Sequence, residues 1–471
     1  MVAAGGLFPQ TEYRDWLTWS ETFDGADALL RMITRQEWFS RDFSMAMVHI
    51  SSQFCGLSIP CLNAWTLAPL ALAAPIVFFL AYGLGTSIRV ALASTALWFF
   101  SWPTSDAVAW QATVHDRWAL LFVLTAVCLA IWIYPKRLSL PSRIGTALVG
   151  LLLTWLANNC KEASWFLAPT LLLIAWAATA GPFTQRLAKT AIAWPSLLYT
   201  TWHVAAFYVA SHRSGTIWLK HVGDGDIFRN LRVFSGAQFG ASEWFGISIV
   251  LCLMTYFCVR WLRERPNRLG SRCVADSSVL FPVWPLWCGF ALAVIIPLRT
   301  VAPAPYYMLI PEGLFAVLLL ETLRRALTNS SRLWCRKWCD TIVIAVSTVW
   351  VATFLITKAT RYWEARIQSR NFLDALPTIG KLSLVQLREP PYILHHPAAV
   401  RAPWLLRSED WRSLWRFVPT VASNPAPKWL HSPVQWAYTW EPLKRQAGDL
   451  RTYLYFDEHM KLSKIDSPPN E

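Results

Sequence analysis

Long apolar runs alternate with short polar or charged loops over most of this chain. The runs cover residues 62–82, 88–100, 118–134, 144–157, 165–180, 191–210, 244–261, 281–298, 306–320 and 341–357. An α-helix needs roughly 20 mostly apolar residues to cross the hydrocarbon core of a bilayer. The pattern therefore predicts about ten helices, of which the shorter ones are tilted or buried within a bundle.

Composition supports the same class of protein. Of the 471 residues, 55% are hydrophobic and only 15% are charged, whereas soluble domains carry roughly 25% charged residues. The 29 tryptophans are typical of membrane–water interfaces, where an apolar ring with a polar N–H is at home. We therefore expect an all-α integral membrane protein.

Loop charges predict how the chain is oriented in the membrane. The basic loops carry Arg89; Lys136, Arg137 and Arg143; Arg186 and Lys189; Arg260, Arg263, Arg265, Arg268 and Arg272; and Arg324, Arg325, Arg332, Arg336 and Lys337. They alternate with loops that hold Asp106, Asp116, Glu162, Asp224 and Asp226. Short basic loops stay in the cytoplasm, so the acidic loops are expected outside. The net charge of +14 then reflects membrane topology, and we expect no nucleic-acid partner.

Three regions follow from this topology. Residues 1–60 form an outward first loop with interfacial helices, residues 61–357 the transmembrane domain, and residues 358–471 a small extracytoplasmic segment. The last region has strand-like runs at 381–387 and 451–456, which favours a small mixed domain over a loosely ordered tail. Since no apolar run precedes the outward loop, we favour a first span encoded upstream of Met1 over an unaided translocated N-terminus.

Several common chemistries lack their motifs here. The chain has no GxxxxGK[ST], no strand-linked GxGxxG, no HExxH and no GxSxG, which argues against nucleotide-phosphate cradles, zinc proteases and serine hydrolases. Cys335 and Cys339 form a lone CxxxC pair without the further ligands of a structural metal site. We assign no metal-ligating residues, and a divalent metal stays open as a cofactor.

The outward loops are the places where ionisable groups accumulate. The tryptophan-rich stretch 98–122 contains Asp106, His115, Asp116 and Arg117. Ionisable groups at a membrane face are costly and are usually kept for function. Simpler explanations stand beside this one: Asp116 favouring a helix start, charges of Lys161 and Glu162 that pair within their own turn, and solvated carboxylates at Asp24 and Asp27. A core position is expected for His203.

The order of several short motifs resembles that of a known family. They are Pro103 followed by Asp106-Ala107-Val108-Ala109-Trp110, Asp116 and Phe122; Lys161-Glu162 followed by Pro169 and Leu171-Leu172-Leu173; and Tyr306-Tyr307 followed by Pro311-Glu312. Over roughly residues 20–325 the chain resembles the multi-span GT-C glycosyltransferases, in particular the protein O-mannosyltransferase-like branch and its bacterial relatives. The acidic pair of that family is adjacent, whereas here Asp24 and Asp27 lie three positions apart.

The resemblance implies a GT-C-like helical bundle that transfers a hexose or pentose from a polyprenyl-phosphate carrier to a protein, lipid or glycan acceptor. Its active site would face outward, most simply from a bacterial inner membrane. Implied roles are Asp27 or Asp24 as catalytic base; Arg41, Lys161 and Arg299 as donor-phosphate ligands; and Asp106, His115, Asp116, Arg117 and Glu162 as site-lining residues. A chain without its first span could lack activity. The alternatives are a non-catalytic GT-C-like protein that binds or helps assemble lipid-linked saccharide, and a transporter or flippase.

Overall fold

A computed structural model provides the structure of the chain. It describes residues 13, 14, 16, 17, 41–136, 138–179, 182–214, 226–239, 282–299, 305–328, 338–385, 389–399, 405, 411, 414, 432, 434–437 and 451–466. The apolar run predicted at 244–261 and the carboxylates Asp24, Asp27 and Asp224 lie outside these residues.

Helices dominate the described residues. They are α1 (Asp42–Cys55), α2 (Ile59–Gly83), α3 (Ile88–Phe99), α4 (Trp102–Ala109), α5 (Val114–Ile133), α6 (Leu140–Asn158), α7 (Leu167–Ala177), α8 (Phe183–Thr190), α9 (Trp194–Ser214), α10 (Ile227–Phe239), α11 (Trp284–Ala293), α12 (Ile295–Leu298), α13 (Leu309–Thr328) and α14 (Cys339–Val385). Short 3₁₀ turns occupy Gln111–Thr113, Glu162–Ser164 and Pro305–Met308.

The expectation of a helical membrane protein is confirmed in outline. Five described helical segments are long and apolar enough to cross a bilayer: Ile59–Gly83, Gln111–Ile133, Leu140–Asn158, Tyr306–Thr328 and Cys339–Lys381. Shorter apolar helices occur at Ile88–Phe99, Glu162–Ala177 and Trp284–Leu298. Along α6, Leu140, Ile144, Leu148 and Leu152 are all more than half exposed. Their four-residue spacing gives a stripe on one helix face, as lipid contact requires.

The core of the bundle lies between α2, α5 and α13. Helix α2 packs along α5, and α13 packs on both α3 and α5. Buried leucine and alanine residues from these helices form one continuous apolar cluster. A β-carbon on Gly313 would come within 2.8 Å of Leu120 and 3.0 Å of Leu124. Glycine at this position therefore lets α13 approach α5 closely.

The first described helix is tied to the second by a disulfide. Cys55, at the end of α1, is bonded to Cys61 in the first turn of α2. Gly56 begins the tight connection with a φ of +52°, a value that L-residues with side chains rarely adopt. This pair was not predicted from the sequence.

Helix α14 continues past the predicted end of the membrane domain. Its 47 residues run through position 358, where the extracytoplasmic segment was expected to begin. The predicted strand at 381–387 is wrong over 381–385, which are helical. The physical reason is packing: Phe372, Leu376 and Ile379 recur at helical spacing and are buried against the sheet that follows.

A four-stranded mixed sheet follows α14. Its strands are β1 (Tyr392–His395), β2 (Gln435–Ala437), β3 (Tyr453–Phe456) and β4 (Leu462–Asp466), in the order β2-β1-β3-β4. Strand β1 pairs in parallel with β2 and β3, and β4 is antiparallel to β3. The strand predicted at 451–456 is confirmed over Tyr453–Phe456.

Candidate functional site

Helix α1 begins against the ends of α5 and α6. The backbone N–H of Phe43 donates to the carbonyl of Asn159 at 3.1 Å. The Phe43 ring packs edge-on to Trp118 and Phe122 of α5, with centroids 6.4 and 5.5 Å away. These contacts place the polar start of α1 beside the start of α5 and the turn after α6.

Two buried ion pairs meet at this junction. Arg41 lies against Glu162, with Nε 3.2 Å from Oε1 and Nη2 3.4 Å from Oε2. Lys161 Nζ lies 3.4 Å from Asp116 Oδ2. The four side chains are only 3–14% exposed. Lys161 and Glu162 therefore pair with other elements, and the alternative in which they pair within their own turn is wrong.

The cluster also fixes the charge of Glu162. Burial alone would raise the pKa of this carboxyl, but Arg41 and Lys161 outweigh burial and hold the pKa below its usual range. Lys161 Nζ lies 5.7 Å from the centre of the Tyr307 ring, within reach of a cation–π contact. Tyr307 belongs to the late Tyr-Tyr motif, so three of the motifs quoted above converge here.

His115 lies beside the ion pairs and is 2% exposed. Its Nδ1 is hydrogen-bonded to the Ser44 hydroxyl, which also donates to the carbonyl of Arg41 at 2.9 Å. The ring packs on Trp16, with centroids 4.4 Å apart. Ser44 and Trp16 were not singled out from the sequence, because their side chains carry no charge.

A series of hydrogen-bonded polar side chains extends from the cluster to α9. Asn159 Nδ2 donates to the Tyr199 hydroxyl at 2.9 Å, and that hydroxyl lies 3.3 Å from His203 Nδ1. His203 is buried, as expected. Its Nε2 nevertheless has no hydrogen-bond partner among the described residues. In the sequence, these hydrogen-bonded side chains appear only as a histidine four residues after a tyrosine on a helix. That pattern by itself favours a core position.

Two other predicted site residues lie away from the ion pairs. Arg117 is fully buried and donates to the carbonyls of Thr66, Ala107 and Trp110. Its guanidinium thus fastens α2, α4 and α5 together. Asp106 lies 3.9 Å from Lys358 of α14. Burial raises the pKa of Asp106, and Lys358 opposes that rise.

Of the remaining predicted site residues, Arg299 lies in the part of the chain that the structure describes. Arg299 caps α12, which packs against the Glu162–Ser164 turn. The proposed bases Asp24 and Asp27 lie outside the described residues. No group of three or more histidine, cysteine, aspartate or glutamate residues that could hold a metal ion occurs in the described part of the chain.

Comparisons with known proteins add no relative. No protein-family model, no curated protein and no solved structure matches this chain.

The chemistry available at the junction is therefore read from its residues. Two cations and two carboxylates sit within one buried patch, with a histidine and a tyrosine ring beside them. Such a patch can bind an anion and hold a polar ligand by hydrogen bonds.

Proposed function

We propose that this chain is a membrane glycosyltransferase that uses a polyprenyl-phosphate-linked sugar. The observation that carries the proposal is the buried pair of ion pairs, Arg41–Glu162 and Lys161–Asp116. Taking four charges out of water is costly, and a buried ion pair seldom repays that cost in stability. Function is the simpler reason to keep such a cluster at one end of a membrane bundle.

The two cations suit the phosphate of the donor. An arginine guanidinium binds phosphate oxygens through its planar fork, and a lysine ammonium offers a point charge with three donors. Arg41 and Lys161 reach the cluster from different elements, so they can contact different oxygens of one phosphate. Arg299, which follows a helix packed on the same turn, is a third phosphate ligand in this proposal.

The reaction itself needs a base near the acceptor. A hydroxyl oxygen of the acceptor attacks the anomeric carbon, the bond from that carbon to the phosphate oxygen breaks, and polyprenyl phosphate leaves. The hydroxyl proton passes to a carboxylate, for which we propose Asp27, with Asp24 as the second candidate. His115, Asp116 and Glu162 line the site and keep its charges in place.

Two features favour an outward-facing site. The ion pairs lie at the start of α5 and the end of α6, whereas Lys136 and Arg143 lie near the opposite ends of these helices. Basic residues favour the cytoplasmic side. The Cys55–Cys61 disulfide belongs to the segment that carries Arg41, and disulfides persist in oxidising compartments. A bacterial inner membrane, with the site toward the periplasm, fits both.

Replacing a whole ion pair separates function from stability. Lys161→Ala alone leaves Asp116 buried without its cation and can destabilise the fold. The double variant Lys161→Met with Asp116→Asn removes both charges together. We expect it to insert and unfold like the wild type but to lose polyprenyl-phosphate-hexose binding about 30-fold or more, because a buried charged contact is worth on the order of 2–5 kcal/mol.

Donor binding to purified protein in nanodiscs provides the measurement, with Arg89→Gln at the other end of the bundle as a matched control. Unchanged donor binding in the double variant would refute the assignment of the phosphate site. Sugar transfer in the same nanodiscs tests the base: Asp27→Asn should abolish it and Asp24→Asn should reduce it less. Donor binding by a wild-type protein that transfers no carrier-linked hexose or pentose would support the non-catalytic alternative instead.

A further inference from the structure

A pocket lies at the end of the bundle opposite the ion pairs. It has a volume of about 260 Å³ and lies where α5 ends, α6 begins and α8 approaches α7. Most of its lining residues are aliphatic, and they include Leu138, Leu140, Ile144, Ala147 and Ile192. The pocket therefore offers an apolar surface at the depth where helices meet the membrane interface.

Three cations surround this apolar surface. Lys136 follows α5, Arg143 lies in the first turn of α6, and Lys189 lies in the last turn of α8. Among the described residues, no carboxylate forms an ion pair with any of the three. Three converging positive charges without a counter-charge make the pocket complementary to an anion.

Helix α8 places the pocket at a membrane surface. The helix has only eight residues, too few to cross a bilayer. Phe183 and Leu187 are 66% and 46% exposed and share one face, as their four-residue spacing requires. Lys189 and Arg186 supply the polar side. An exposed apolar face beside basic residues is typical of a helix that lies in the interface of an anionic membrane.

We infer that this pocket binds the phosphate group of an anionic phospholipid from the leaflet opposite the ion-pair site. Lys136, Arg143 and Lys189 would neutralise the phosphate, and the upper part of the acyl chains would lie along Leu140, Ile144 and Ala147. Basic pockets between transmembrane helices take such head groups. The pocket is small for a whole ligand, since ligand sites usually measure about 300–1,000 Å³, which fits a head group whose chains stay in the bilayer. The inference is independent of the proposed glycosyltransferase activity.

Native mass spectrometry of the full-length protein tests the inference. The protein is purified in a neutral detergent and supplied with phosphatidylglycerol or phosphatidylcholine. The wild type should retain phosphatidylglycerol in preference to phosphatidylcholine. Each of Lys136→Gln, Arg143→Gln and Lys189→Gln should lower the retained phosphatidylglycerol about fivefold, as expected for one cation near an anionic lipid surface. The matched control Arg89→Gln removes an exposed cation outside the pocket and should change nothing.

Two further measurements distinguish binding in this pocket from nonspecific attraction of the lipid to positive charge. Ala147→Trp fills the apolar wall and keeps all three cations, so it should also lower phosphatidylglycerol retention. Excess inorganic phosphate should not displace the lipid, because it lacks acyl chains. An equal loss in Arg89→Gln would overturn the inference. So would full lipid retention in Ala147→Trp or in a triple variant that combines Lys136→Gln, Arg143→Gln and Lys189→Gln. Complete displacement of the lipid by inorganic phosphate would overturn it as well.

Discussion

Arg117 is a fully buried cation whose hydrogen bonds, within the described part of the chain, go to backbone carbonyls and a hydroxyl rather than to a carboxylate. Its Nε donates to the Thr113 hydroxyl at 3.0 Å, and its two terminal nitrogens donate to backbone carbonyls of α2 and of the α4–α5 connection. The Trp110 carbonyl also accepts from the N–H and the hydroxyl of Thr113 in the 3₁₀ turn Gln111–Thr113, and the Ala107 carbonyl accepts from the same hydroxyl. The guanidinium therefore adds hydrogen bonds that join α2, the α4–α5 connection and α5.

Removing this side chain should affect stability before it affects any activity. Arg117→Met removes the hydrogen bonds from Arg117 to Thr66, Ala107, Trp110 and Thr113, and a hydrogen bond to a charged group contributes about 1.5–3 kcal/mol. We expect a clear drop in the unfolding temperature in detergent, followed by tryptophan fluorescence. Arg89→Met, at an exposed position, should leave the unfolding temperature unchanged. An Arg117→Met protein that is as stable as the wild type but inactive would instead favour the site-lining role implied by the resemblance.

Charge and loop position are enough to single out residues that lie together in the structure, while their predicted roles stay predictions. Arg41, His115, Asp116, Lys161 and Glu162 were singled out from outward loops, and the structure brings them together. The ion-pair partners of these charged residues were harder to predict. Asp106 pairs with Lys358, which lies far along the chain, because α4 and α14 pack together through Ser105 and Tyr362, whose hydroxyls are 2.8 Å apart. No local pattern in the sequence encodes that tertiary contact.

At the scale of elements, the α1–α2 connection gives a direct test of topology. In Cys55→Ser the partner Cys61 keeps a free thiol. If this connection faces outward, a membrane-impermeant maleimide added to intact cells should label Cys61. The measurement uses a chain in which every other cysteine is changed to serine. The matched control retains only Cys339, at the start of α14 near the basic end, and should be labelled only after the membrane is permeabilised. The opposite labelling pattern would reverse the proposed orientation.

Helix prediction was accurate for several apolar runs, and the length of a run did not decide its accuracy. The runs at 62–82 and 144–157 correspond to α2 and α6, each extended by a few residues. The run at 281–298 divides into α11 and α12. Prediction failed at 381–385, where leucine and polar residues alternate as in a strand. Helix packing against the sheet overrode this local preference, and alternation over so few residues cannot reveal such packing.

At the scale of the whole molecule, the C-terminal sheet depends on α14 for its core. Phe372 of α14 is fully buried, and its ring lies 5.7 Å from Phe456 of β3. Phe372→Ala removes a large buried ring and should cost about 3–5 kcal/mol. We expect the sheet to become sensitive to protease while α2, α5 and α13 remain protected. Limited proteolysis followed by mass spectrometry measures this difference.

The control for that experiment is Trp363→Ala on the same helix, where the side chain is 60% exposed. It should leave the cleavage pattern unchanged. Loss of protection throughout the membrane bundle in Phe372→Ala would show that the sheet and the bundle unfold as one cooperative unit rather than separately.

The length of α14 has a mechanical consequence. Its 47 residues span about 70 Å at 1.5 Å per residue, more than twice the hydrocarbon thickness of about 30 Å. Near its middle it is held to α4 by Lys358 and Tyr362, and near its end it carries the sheet. The first half of α14 packs on α3, where Ser347 donates to the Ala93 carbonyl and Trp350 to the Phe100 carbonyl. We therefore expect bending of the second half of the helix to move the sheet while the first half stays fixed in the bundle.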